Sequence, residues 1–376
     1  MIDYKKNVFL SLLVFFFILS GCVIDSDSVD RIDYGNGFYF QWYTFIGDAG
    51  SNQKVSEITH DSEGNLYIIG TSDVPLDSKY GDPLIPHSAD NQNLLLKMNP
   101  DGIILWHTFL PGSWYKIATD HEDQIVLYGR SDKEFNLTGI KPVSSFNGGK
   151  DVSLIKFDSQ GSVLWHSFLG GLQTDSNGRM EIDNEGIIYI LGTSNSGWNS
   201  KFGVPVVDID NSSTSKAYFL GKIEPHGNLI SHTFINIRQS GTSENSLSVG
   251  KNGDIYVSLI HYSGHYRGWI TKKLEKNLIE IPDVKSIFGK IYSLQSGGYL
   301  SYFGSGRLYY GYDEEKVMFR KYNEMTDQIW EFEIINEGDG PMGHASLGIH
   351  DLKIDIHDDI YFVGKNAGKL LKDYYD

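Results

Sequence analysis

Short apolar runs alternate along this chain with polar clusters rich in Gly, Asn, Asp and Ser. Beyond the N-terminus no stretch carries an apolar stripe of helical period. Runs such as Leu66-Tyr67-Ile68-Ile69, Ile125-Val126-Leu127-Tyr128 and Ile188-Tyr189-Ile190-Leu191 are each bounded by turn formers. That pattern predicts strands joined by tight turns, so the expected fold class is all-β.

The runs also repeat. The segment from Gly64 to Gly70 (GNLYIIG) has counterparts beginning at residues 123, 186, 253, 298 and 358, at steps of 59, 63, 67, 45 and 60 residues. A second element follows: Leu94–Phe109, Ser153–Phe168, Phe219–Phe234 and Met318–Ile334 are each two extended runs around a polar turn, such as NPDG, DSQG or EPHG. Each unit then reads as strand A, a DxxG-type turn, strand B, a long loop, strand C, a tight turn and strand D. In the first unit strand A falls at about Val55–His60 and strand B at about Asn65–Thr71. Four antiparallel strands per period describe a propeller blade. In the fifth copy Arg307–Tyr312 is an alternative strand B.

The GNLYIIGTSD-like and LLLKMNPDGIILWHTFLPG-like segments resemble the SBBP-type β-propeller repeat of bacterial secreted proteins and lipoproteins, from about Gly37 to the C-terminus. Six copies predict a single closed six-bladed propeller. Seven blades are the alternative, because the family name refers to seven. Phe38–Ile46 matches strand D only, while the last copy supplies strand A (Leu352–Ile356), strand B (Ile360–Gly364) and a possible strand C (Lys369–Tyr375). The N-terminal strand is therefore expected to complete the last blade, which also covers an edge.

Residues 1–21 read as a signal peptide: Lys5 and Lys6, then the apolar run Val8–Leu19, too short to span a bilayer. Leu19-Ser20-Gly21-Cys22 resembles a bacterial lipobox, which implies cleavage before Cys22 and lipidation of that residue. Cys22 is the only cysteine in the chain, so no internal disulfide can form. Residues 22–36 form an acidic tether, and residues 37–376 the propeller. Val23 after the cysteine implies, by the same resemblance, the outer membrane rather than inner-membrane retention.

The formal charge of −16 becomes −17 once two lysines and one aspartate leave with residues 1–21. Nucleic acid is therefore not an expected partner. No cofactor is expected, and the domain is expected to be monomeric. His107, His166 and His232 recur at one strand-D position. They would lie far apart around a ring at its rim, which points to repeated packing, as with Trp106 and Trp165. His344, His350 and His357 lack a zinc-ligand spacing, and His261 and His265 sit at a strand end. Asp208–Ser212 lacks the Gly and Glu of a calcium loop. No metal site is expected, and no GxSxG, HExxH or phosphate-cradling motif occurs.

The B–C loops of the first three blades are long: Ser72–Asn93, Ser131–Lys150 and Asn195–Lys216. Those of the fourth and sixth are short. A wall of loops carrying Tyr80, Phe135, Phe146, Trp198 and Phe202 is the expected binding surface. The expected function is a lipid-anchored, non-catalytic module binding a protein or glycan at the cell envelope. The alternatives are an envelope hydrolase or lyase with its site at a channel mouth, and a scaffold for outer-membrane assembly.

Overall fold

The computed structural model describes residues 46, 51–200, 203–210, 216–237, 245–263, 266–282, 289–294, 297–304, 315–323, 328–337, 347–354, 360–366 and 369–370. The chain divides into two compact units. One comprises residues up to 142 with 153–167, and the other 143–152 with 168 onward.

Strands β1 (Gln53–His60), β2 (Leu66–Ser72), β3 (Asn93–Met98) and β4 (Ile104–Leu110) form the first sheet, a four-stranded antiparallel meander in chain order. The second holds β5 (Ser113–Thr119), β6 (Ile125–Ser131), β7 (Asp151–Phe157) and β8 (Val163–Leu169), again in order. The third holds β9 (Asp175–Ile182), β10 (Ile188–Ser194), β11 (Ala217–Ile223) and β12 (Leu229–Ile235). The fourth holds β13 (Asn245–Val249), β14 (Ile255–Ser263), β15 (Tyr266–Leu274) and the short β16 (Glu280–Ile281). The fifth begins with β17 (Lys290–Ser293), β18 (Tyr299–Gly304), β19 (Glu315–Tyr322) and β20 (Gln328–Glu337). β21 (Leu347–Ile354) and β22 (Ile360–Asn366) pair as a two-stranded sixth sheet.

Every sequence repeat thus has a sheet, and β18 is the B strand of the fifth; Arg307–Tyr312 lies outside the described residues. Lys369–Leu370, expected as strand C of the last copy, instead forms β23. It pairs with β20 through Asn336↔Leu370 and Glu337↔Lys369, adding a fifth strand to that sheet along an otherwise open edge. Of the N-terminal segment only Ile46 is described. It packs against the core of the first sheet with Ile58 and Ile104.

The A–B turns explain the repeated Asp. Asp61 Oδ1 accepts the backbone N–H groups of Glu63 (3.1 Å) and Asn65 (2.8 Å). Asp120 and Asp183 repeat both bonds one and two copies later. Gly64 and Gly186 close these turns at φ 81° and 75°. In the second sheet Asp123 takes that place at φ 57°. An Asp tolerates this left-handed geometry better than most residues. Its carboxylate accepts from Ser62 N (2.8 Å) and Ser62 Oγ (2.5 Å), tying the second sheet to the first.

Central strands β2, β6 and β10 are buried on both faces, which requires neighbours on both sides. Within the first unit β1 lies beside β5: Glu57 accepts from Ile117 N at 2.8 Å and pairs with Lys116. Within the second unit β9 lies beside β13 through Arg179 Nε to Asn245 O, 2.8 Å. β13 lies beside β17 through Ser248 Oγ, which accepts from Ser293 N at 2.7 Å. First strands of successive sheets side by side are propeller-like packing.

A lysine on strand C pairs with an acid of the A–B turn in three sheets. Lys97 lies 3.3 Å from Asp61 and Lys156 2.7 Å from Asp120; in the fourth sheet Gly250 stands in place of that aspartate, and Lys273 lies 2.7 Å from Asp254, four residues on. Lys97, Lys222 and Lys273 also sit over the rings of Tyr67, Tyr189 and Tyr256. The Tyr67 and Tyr189 hydroxyls donate to Asp61 and Asp183, giving each buried phenol the acceptor it needs. The Trp106 indole donates to Ser159 O at 3.2 Å, so this tryptophan packs one sheet on the next.

Candidate functional site

The long B–C loops are one fold used three times. Each starts at the serine that ends strand B, whose Oγ donates to a carbonyl two residues on: Ser72 to Val74, Ser131 to Lys133, Ser194 to Ser196, at 2.6–2.7 Å. Four residues past the serine a large apolar side chain turns inward: Leu76, Phe135 and Trp198, all buried. A tight turn follows at Ser78–Gly81, Leu137–Ile140 and Ser200–Gly203. Eleven residues past the serine stands a proline, Pro83, Pro142 or Pro205. Thirteen past it, the carbonyl of Ile85, Ser144 or Val207 accepts from a strand-D phenylalanine N–H, that of Phe109, Phe168 or Phe234. Each loop therefore doubles back along the outer edge of its sheet.

This arrangement accounts for the strand-D histidines. They are buried rather than set at an exposed rim. His166 Nε2 lies 3.0 Å from Phe135 O, and its ring stacks on Phe135 at 5.5 Å. His232 Nε2 lies 2.9 Å from Trp198 O, and the two rings stack at 4.2 Å with 4° between planes. The His107 ring makes no hydrogen bond and meets Phe109 edge-on. Burial holds all three imidazoles below the usual histidine range. His166 and His232 serve as posts that clamp their loops.

The aromatic residues expected on the loop surface occupy varied positions. Phe135 and Trp198 are buried against the histidines, and Trp198 also meets Phe219 and Phe234 edge-on. Phe146 is half-buried, edge-on to Phe168 at 5.9 Å. Tyr80 is half-buried against the core of the first sheet, with Lys79 over its ring. Phe202 and Cys22 lie outside the described residues. The exposed side chains of the second loop are polar, among them Asp132, Lys133, Glu134, Asn136 and Thr138; the first loop exposes Leu84 beside Ser78 and Lys79, and the third exposes Val204, Val206 and Val207. The fourth sheet has no such loop, since Ser263 pairs with Tyr266 across a two-residue link.

Two clefts follow. In the first unit a cleft of about 280 Å³ lies between the first two B–C loops, lined by Ile85, Asp90, Pro111, Lys133, Asn136 and Thr138 among others. Lys133 and Asp90 pair across it at 2.6 Å. Thr138 adopts φ 50° in the tight turn with Gly139 at φ 82°. A β-branched residue in the left-handed region is strained, and such strain concentrates at functional sites. In the second unit a cleft of about 380 Å³ lies at the A–B turns of the third and fourth sheets, beside Tyr292 and Leu294. Its acids are engaged: Asp183 accepts from its own turn and from Tyr189, and Glu185 pairs with Lys276 at 3.0 Å.

Two carboxylates outside these clefts are fully buried, Asp151 and Asp175. Burial pushes Asp151 up to about 7, against the bond from Asn147 N. Burial pushes Asp175 up to about 6, against the pull of Ser194, Gly171 and Trp198. Of the remaining candidates, Asp208 is exposed and accepts from the next backbone N–H at 2.7 Å. His261 lies in β14 and His350 in β21; His265, His344 and His357 lie outside the described residues. Among the described residues no group of three or more His, Cys, Asp or Glu is placed to hold a metal ion.

No characterised protein matches the chain in sequence. Among solved structures, a protein of unknown function from Bacteroides caccae is similar at 14% identity and TM-score 0.38, over 75% of this chain and 92% of that one. An acylaminoacyl peptidase of Pyrococcus horikoshii is similar at 13% identity and TM-score 0.46, over 83% of this chain and 43% of the peptidase. The polysaccharide lyase Uly1 is similar at 10% identity and TM-score 0.47, over 85% and 75%. These likenesses assign no activity. The family match is local: residues 41–77, which contain β1 and β2, carry an SBBP β-propeller repeat.

Proposed function

We propose that this chain is a lipid-anchored binding module of the bacterial cell envelope: a closed six-bladed propeller, held to the outer membrane through Cys22, that presents its B–C loops to a protein or glycan. The observation that carries the reading is the division of labour within those loops. Their inward positions repeat from copy to copy as serine, large apolar residue and proline, while their outward positions differ. A scaffold that fixes a loop and frees its exposed side chains suits recognition. The cleft beside Lys133, Asn136 and Thr138 is the contact surface we assign. Its lining mixes these polar and charged groups with Ile85 and Pro111, which suits a ligand that offers hydroxyls or amides beside apolar surface. Closure is supported by six sheets for six repeats and by the strand-D sequence of residues 38–46, which complements the two-stranded last sheet.

Capture from solubilised envelopes tests the binding reading, with the mature protein beside a Lys133→Ala/Asn136→Ala variant. A partner retained by the first and lost by the second supports it. A partner bound equally by both removes the cleft from the contact surface. Radiolabelled palmitate and membrane fractionation of Cys22→Ala test the anchor. Unchanged labelling and membrane association would refute it.

A further inference from the structure

Asp151 opens β7 and Asp175 opens β9, and both side chains are fully removed from solvent. Both belong to the second unit, as does everything that touches them below. Asn147 N donates to Asp151 Oδ2 at 2.7 Å, and Gly171 N donates to Asp175 Oδ2 at 2.9 Å. The Oδ1 atom of each has no hydrogen-bond partner. The two carboxylates converge on Gly170. A Cβ built there would stand 2.6 Å from Asp151 Oδ1 and 2.5 Å from Asp175 Oδ2, so only glycine leaves room. Among the described residues no basic side chain pairs with either acid.

Buried polar oxygens without partners are costly, and buried charges without counter-charge more so. A single proton shared by the two carboxylates would satisfy one oxygen but leave one negative charge buried without a counter-charge. A single water could donate to both oxygens but would leave the charge. A hard divalent cation satisfies charge and lone pairs together. The carbonyls beside the pair are those of Gly170, which accepts from Asn147 Nδ2, and Lys150, which accepts from Asp175 N. Each keeps a second lone pair. The donor set is all oxygen, which excludes the sulfur- and nitrogen-seeking metals. Enclosure disfavours magnesium, which keeps several waters, and favours calcium, which accepts irregular oxygen cages.

We propose that Asp151 and Asp175 together bind one divalent cation of the calcium class, which ties the chain entering β7 to the turn entering β9. The cation fixes the end of the second B–C loop, where Gly149 already presses against Gln173 and Lys150 bridges to Thr174.

Terbium(III) is the probe, excited through tryptophan; the Trp198 indole lies beside Asp175 without completing a hydrogen bond to it. An acidic chain collects lanthanides on its surface, so the readout is the difference between wild type and Asp151→Asn or Asp175→Asn. The expected result is saturable emission displaced by calcium and lost in both variants, with a calcium-induced rise in Tm that both variants also lose. Emission and Tm response unchanged by either substitution would overturn the site. Should the variants fail to fold, the wild-type Tm in calcium is compared with that in equimolar magnesium, which screens the acidic surface equally. A rise specific to calcium supports the cation. Indifference leaves only protons or water between the carboxylates and refutes it.

Discussion

The two ends of strand β7 bury charge in opposite ways. At one end Lys156 and Asp120 meet at 2.7 Å, both almost wholly buried, and cancel. At the other end Asp151 is equally buried, and among the described residues no basic side chain pairs with it. The lysine end is copied: Lys97, Lys222 and Lys273 stand at the same register in their sheets, each opposite a strand-B tyrosine that Val126 replaces in the second. Five residues before those lysines the other copies carry Gln92, Ala217 and Gly268, so the acid end is found once. What recurs from sheet to sheet holds the sheets together. What occurs once is where this chain departs from its own template, and there function is to be sought.

Substitution breaks or sharpens that contrast. Lys156→Ala strands Asp120 in the interior and is expected to cost about 3–5 kcal/mol, read as a lower urea midpoint. Trp198→Ala removes the plug that His232 clamps and should cost a similar amount, about 3–5 kcal/mol. If either were silent, copied features would not be structural. Thr138→Gly should act in the other direction: it relieves a left-handed β-branched residue and is expected to stabilise by about 1 kcal/mol. Lys133→Ala, at an exposed pair found once, should leave the unfolding midpoint unchanged while weakening any ligand of the cleft.

Acidity offers a further test of the copied part. Burial lowers His107, His166 and His232 below their ordinary value of 6.5. Unfolded chains then bind protons that folded ones do not, so stability rises with pH across this interval. The histidine contribution is full above pH 6.5 and is lost as pH falls through the lowered values. His232→Gln, which keeps a side-chain nitrogen for Trp198 O, should flatten that loss in a series of thermal melts. A slope unchanged by the substitution would remove this histidine from the account.

The strands and their turns were legible in the sequence because alternation, glycine and aspartate act locally. The A–B aspartates, the strand-C lysines and the register of Tyr67 with Lys97 all follow from one repeated string. The loops were harder. Ser72, Ser131 and Ser194 with Pro83, Pro142 and Pro205 were in plain view, but the residues between them share little beyond an apolar side chain of varying size. Leu76, Phe135 and Trp198 look unrelated until one pocket is seen to accept all three. Phe135 and Trp198 also lie in polar loops, where an aromatic suggests a surface contact; only the buried histidine across from each shows that it points inward. The Asp151–Asp175 pair was not visible at all. Twenty-four residues separate the two, and nothing in either neighbourhood is a motif.

The doubled-back loops carry one more consequence. A loop that begins on its own sheet's serine and returns along its own sheet's last strand takes the two ends of its support from that one sheet. Tandem duplication of such a unit transmits a supported loop along with the strands. Each descendant can then alter its exposed tip by point mutation, without refolding what supports it, so related chains can diversify their loop surfaces one sheet at a time.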